Sequence, residues 1–113
     1  MNLQFLRGAI AVLTLVTAGI HLYLSQTAGV SFILNGLGYV ALLIALLVRL
    51  PVLAGRERWV HYAYMAFAAV TIVAYFAVNG GESFSNMLGL FTKAVEVLLI
   101  LALWQHLRMT QPA

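Results

Sequence analysis

Charged side chains make up only 8% of this 113-residue chain, cysteine is missing altogether, and two residues are proline. Ordinary soluble domains carry about 25% charged residues. With so few, the chain has too little polar surface to cover a water-soluble sphere, which excludes a soluble globular protein. The same shortage argues against a nucleic-acid module, because six Lys and Arg against three Asp and Glu make no basic patch to hold phosphates. A hydrophobic share of 64% excludes a disordered chain. Without cysteine there is no disulfide, thiolate metal site or cysteine nucleophile. There is also no soluble domain, flexible linker, low-complexity tract or lipidation motif. What remains is apolar, with a mean hydropathy of +1.00. The chain reads as an integral membrane protein whose first partner is the lipid bilayer.

Four apolar stretches, at about residues 5–24, 30–50, 59–78 and 84–107, approach the ~20 residues that a helix needs to cross the hydrocarbon layer. No stretch alternates apolar and polar residues over barrel-strand length, so the expected fold is all-α, a bundle of four transmembrane helices forming one domain over residues 1–113. Short loops separate the spans. Turn chemistry marks them at Ser25–Gly29, from Pro51 to Arg58, and at Asn79–Ser83. Pro51 is expected to stop the second span, and Ser83 or Ser85 to cap the fourth helix. The first span is read as a retained helix, since it is long for the apolar core of a cleaved signal segment.

Arg7, Arg49, Arg56, Arg58 and Arg108 all flank one side of this arrangement, and the other two connections hold no Lys or Arg. By the positive-inside rule both termini are cytoplasmic and the Ser25–Gly29 and Asn79–Ser83 turns face outward. The pI of 9.7 is therefore topogenic, with a contribution from anionic-lipid contact. Trp59 and Trp104 fall near the same inner surface, as an aromatic belt requires. A faint internal echo joins Asn35-Gly36-Leu37-Gly38 to Asn86-Met87-Leu88-Gly89, and Thr17-x-x-x-His21 to Thr71-x-x-x-Tyr75, the pattern two tandem hairpins would leave.

Polar residues inside the spans cost free energy in lipid, so their placement is informative. Thr14, Thr17 and His21 share one helix face, as do Asn35 and Tyr39, then Thr71, Tyr75 and Asn79, then Asn86, Lys93 and Glu96. Four such stripes turned inward predict an interior that is polar in its outer half and apolar in its inner half. Gly19, Gly36, Gly38, Ala68, Ala69 and Gly89 would let the helices approach closely. The Thr, Asn and Tyr residues on their own read as interhelical glue. Lys93 and Glu96, at i and i+3, are the two acid–base groups deep in the membrane. They read either as a buried ion pair that fixes helix packing or as part of a ligand site or a proton-relay step. The candidate ligand-binding set is His21, Asn35, Tyr39, Thr71, Tyr75, Asn79, Lys93 and Glu96.

His61 and His106 are expected near the inner surface on adjacent antiparallel helices, a placement compatible with axial ligation of a b-type haem. Nothing else calls for a cofactor. His21 with Glu82 is too small a set for a metal, and no catalytic arrangement or phosphate-cradling glycine loop is present, so no catalytic residue is expected.

The segments Ala18-Gly19-Ile20-His21-Leu22, Phe32 through Tyr39, Tyr75 through Asn79, and Lys93 through Leu99 together resemble a family of small four-helix membrane proteins classed as a domain of unknown function. The members of that family are of about this size, with a histidine late in the first helix, a glycine-rich start to the second and a lysine in the fourth. A more distant likeness is to the DoxX-type four-helix membrane proteins. The resemblance implies the four-helix fold and carries no activity or catalytic residue. Three functions are compatible with these features. The first is a non-enzymatic subunit or partner of a larger membrane assembly, or a homo-oligomer. The second is a binder or carrier of a small polar, anionic or quinone-like ligand in an outer-half pocket. The third is a haem-dependent redox protein.

Overall fold

The computed structural model describes residues 2–48 and 50–111. Arg49, one of the five arginines on which the expected orientation rests, lies outside the described residues. Four α-helices follow in order: α1 (Leu3–Ala28), α2 (Val30–Leu47), α3 (Glu57–Asn79) and α4 (Met87–Thr110). Short 3-10 turns at Pro51–Leu53 and Gly80–Phe84 complete the element order, and no strand occurs among the described residues. All four helices are long and apolar enough to cross a membrane. The bundle measures 42 × 27 × 21 Å.

Local chemistry explains where the helix ends depart from expectation. α1 runs through the polar stretch taken for a turn because Ser25 Oγ and Thr27 Oγ1 donate back to the carbonyls of Leu22 and Leu24, at 2.6 and 3.2 Å. The reversal into α2 is left to Gly29 alone, whose φ of 95° suits a residue without a Cβ. α2 ends at Leu47 rather than at residue 50, with Val48 already extended. Leu50 is extended as well, the conformation favoured before a proline, and Pro51 opens a 3-10 turn. α4 starts at Met87, and its cap is Asn86, whose side chain accepts from the Gly89 N–H at 3.0 Å. Neither serine caps it. Ser85 Oγ bonds the Glu82 carbonyl, and Ser83 is fully buried.

α1 packs between α2 and α4, α4 packs against α3, and α2 meets α3 more sparsely than these neighbours meet each other. Arg7 Nη2 donates to the Leu47 carbonyl at 3.2 Å, and His61 contacts His106. The start of α1, the end of α2, the start of α3 and the end of α4 therefore share one end of the bundle, the terminal end. The Gly29 and Gly80–Phe84 turns form the other, the turn end. Leu6, Ile10, Leu43, Ala68, Leu99 and Leu103 make the buried core, while Val12, Leu15, Leu34, Val70, Phe91 and Leu101 point outward.

Three glycines carry the close approaches: a Cβ on Gly36 would stand 2.8 Å from the Leu22 side chain, and the other two face rings of α3. A Cβ on Gly38 would stand 2.6 Å from the Phe67 ring, and one on Gly89 would stand 2.5 Å from the Tyr75 ring. Each seats an aromatic ring of α3, so the echo between Asn35–Gly38 and Asn86–Gly89 holds at its glycine. It fails at its asparagine, because Asn86 caps a helix whereas Asn35 lies within α2 and bonds Thr71. Gly19 meets nothing within 4 Å, and Ala69 is exposed, so neither mediates packing as expected.

Candidate functional site

At the turn end the four polar stripes leave a cavity of about 410 Å³ between the helices. Six of the eight candidate residues line it: His21, Asn35, Thr71, Tyr75, Asn79 and Lys93. The remaining two, Tyr39 and Glu96, lie outside the lining and are fully buried. Ser31, Asn86 and Thr92 also line the cavity, with apolar walls from Ile20, Leu24, Phe32 and Val78.

Glu96 anchors the site and is 0% exposed. Its Oε2 accepts from the Tyr39 hydroxyl at 2.6 Å and from Thr17 Oγ1 at 3.1 Å, while Oε1 pairs with Lys93. One carboxylate thus ties α1 and α2 to α4. A buried charge is tolerable only when paired and hydrogen-bonded, and here both conditions hold. The Lys93 ammonium also stands 5.2 Å from the centre of the Tyr75 ring, within cation–π range. Tyr75 is held there from two sides. Its hydroxyl donates to the Ser83 carbonyl at 2.6 Å, and Gly89 gives its ring room.

Proton assignments follow from the bonding. Thr71 Oγ1 donates to the Phe67 carbonyl at 2.9 Å, so it can only accept from Asn35 Nδ2, also at 2.9 Å. That orients the Asn35 amide and leaves its Oδ1 buried without a partner. His21 Nδ1 donates to the Thr17 carbonyl at 2.8 Å, which makes Nε2 the free acceptor of the neutral ring. The His21 ring rests near Phe32 and Tyr39, at 5.3 and 6.1 Å between centroids. Asn79 Nδ2 bonds back to the Tyr75 carbonyl at 2.8 Å.

The half toward the terminal end departs from expectation, because it is not uniformly apolar. Thr14 and Tyr64, both fully buried, hydrogen-bond across α1 and α3. The stripe on α1 contains Thr14, but its partner Tyr64 lies 50 residues away on α3, and a pairing across helices leaves no trace in the spacing along either one. Nearer the terminal end, His61 Nε2 lies 2.7 Å from His106 Nδ1, and the two rings stack. An iron ligated on both sides needs roughly 4 Å between the nitrogens, at about 2 Å per metal–nitrogen bond. As placed, the two rings bond each other and leave no such gap. Among the described residues, no three His, Asp or Glu side chains gather around a common point.

Comparison with models of known protein families, with curated proteins and with solved structures found no match, so what can be said of the site rests on the residues of this chain.

Proposed function

We propose that this chain is a membrane-embedded binder or carrier of a small polar, anionic or quinone-like molecule, held in the cavity at the turn end. The observation that carries this reading is that the polar stripes do not close on one another. Side chains acting only as glue would fill the space between them, whereas about 410 Å³ stays open. That volume falls within the range of small-molecule pockets, which combine apolar walls with a few convergent polar groups. The Lys93–Glu96 pair serves both roles raised for it. Glu96 locks three helices together, and Lys93 presents a hydrogen-bond donor to the cavity. By the arginine distribution, the terminal end faces the cytoplasm and the cavity opens outward.

A second reading, a subunit of a larger membrane assembly or a homo-oligomer, draws on α2 and α3. Each buries 17% of its spanning window inside the bundle, against 33% for α1 and 39% for α4. These two helices therefore offer the most apolar surface to a neighbour.

Native mass spectrometry of the chain extracted in mild detergent tests the first reading. A small-molecule mass is expected on the wild-type protein and lost in Ala74→Phe. Ala74 lines the cavity and is exposed, so the larger side chain occupies the space without removing any side-chain hydrogen bond. A wild-type chain that carries no adduct, or an adduct that Ala74→Phe retains, would overturn the reading.

A further inference from the structure

A second cavity, of about 460 Å³, opens at the terminal end and is lined by Arg7, Glu57, His61, Thr110 and others. Between the two cavities run buried groups that the ligand site does not use: Thr14, Tyr64, His61 and His106. Their order along the bundle is continuous. Lys93 pairs with Glu96, Glu96 accepts from Thr17, Thr14 bonds Tyr64, and His61 bonds His106. Only two junctions lack a direct bond, Thr17 to Thr14 and Tyr64 to the histidine pair. The first joins residues i and i+3 of α1, whose Cβ atoms stand about 5–6 Å apart, a span that one bridging water covers. The second runs from Tyr64, bonded to Thr14, to His106 Nε2, the buried acceptor left without a partner, and is bridged by water as well. The route bypasses the apolar layer of Leu99 and Leu103, which separates Glu96 from His106 on α4.

We infer that this column relays protons between the two cavities, an activity separate from ligand binding. Every member except Lys93 and Glu96 carries both a donor and an acceptor, the requirement for passing a proton on without being consumed. Chains of carboxylate, hydroxyl and imidazole groups inside membrane proteins serve this purpose. From the turn-end cavity, a proton reaches Glu96 by way of Lys93 and gives the carboxylic acid. The acid returns its proton to Thr17 Oγ1, which releases its own toward Thr14, and Thr14 and Tyr64 repeat the exchange.

The histidine pair is set to receive the proton. His61 Nδ1 donates to the Glu57 carbonyl at 2.8 Å, so Nε2 of the neutral ring accepts the Nδ1–H of His106. This leaves His106 Nε2 as a buried acceptor with no partner. A proton taken up at His106 Nε2 lets His106 pass its Nδ1 proton to His61 Nε2. His61 then releases its Nδ1 proton into the terminal-end cavity. One proton enters and one leaves, and rotation of each ring brings its N–H, now on Nε2, back into line to donate toward the terminal end. No oxidant or reductant takes part.

The test uses the full chain reconstituted in vesicles that contain a pH-sensitive dye, with a potassium gradient and valinomycin as the driving force. Wild-type vesicles are expected to acidify several-fold faster than empty ones. Tyr64→Phe and Thr14→Val, which remove one hydroxyl each and keep the shape, should return the rate to that of empty vesicles. Thr14→Ser should retain the wild-type rate, which a purely structural role for the methyl group would not produce. Wild-type vesicles no faster than empty ones overturn the inference, as do Thr14→Val vesicles as fast as wild type. Should Tyr64→Phe fail to fold, the Thr14→Val and Thr14→Ser pair decides on its own. Valine matches threonine in shape, and a hydroxyl kept at position 14 can bond its own helix backbone when it does not meet Tyr64.

Discussion

Glu96→Gln is expected to destabilise the bundle by about 3–5 kcal/mol, the cost of leaving one member of a buried ion pair without its partner. The geometry makes the loss larger than a single broken contact. Tyr39 and Thr17 both donate to the carboxylate and Lys93 donates as well, so three donors converge on Glu96. A Gln side chain keeps one acceptor oxygen and turns an NH₂ group toward the remaining donors. Replacing Lys93 with Met and Glu96 with Leu together removes both charges and recovers most of the loss. The recovery falls short by about 1–3 kcal/mol, because the buried Tyr39 hydroxyl then has no acceptor. Thr17 suffers less, since a threonine on a helix can bond the carbonyl four residues back. Adding Tyr39→Phe to the double variant should close the remaining gap. Thermal melting of all four proteins in one detergent checks the series. A double variant no more stable than Glu96→Gln alone would show that the two residues are uncoupled.

Gly89→Val is expected to have the second-largest effect, a loss of about 1–3 kcal/mol, as for overpacking in a dense interior. The new Cβ would stand 2.5 Å from both the Tyr75 hydroxyl and its ring, so the ring must move. Moving it breaks the bond to the Ser83 carbonyl and takes the ring away from Lys93. The cavity wall is then rebuilt, and any retained ligand is lost with it. Gly19→Val is the matching control. It faces open space, so only its small intrinsic helix-propensity term remains. A Gly89→Val/Tyr75→Ala double variant should recover part of the loss, and melting temperatures measured as a double-mutant cycle give the coupling. Additive effects would show that Gly89 does not act through Tyr75.

Hydropathy and length made the four helices legible, because in lipid a backbone of this kind has helices as its solution. Helix ends were less legible. Ser25 and Thr27 look like turn residues, yet their hydroxyls bond carbonyls within the helix and let α1 run to Ala28. At the start of α4 three side chains compete to cap, and Asn86 prevails over Ser83 and Ser85. The stripes at spacings of three, four and seven identified seven residues that line the cavity, since a helix face is a local property. Pairings across the bundle depend on helix rotation and register, which no local pattern encodes. Thr14 with Tyr64 is of this second kind, whereas His61 and His106 were legible as neighbours on adjacent helices but not as hydrogen-bonded, stacked rings.

Water access to the cavity between the stripes is directly measurable because the chain has no cysteine, so an introduced thiol has no native background. Asn35→Cys places one in the cavity lining, and Leu99→Cys places one in the closed core. A charged, membrane-impermeant thiol reagent is applied to intact cells and, separately, to inverted membrane vesicles. The residue 35 thiol is expected to be modified from the outer face of intact cells, with the residue 99 thiol inert from both sides. A residue 35 thiol as inert as that at residue 99 would contradict the cavity, and modification from inverted vesicles alone would contradict the orientation.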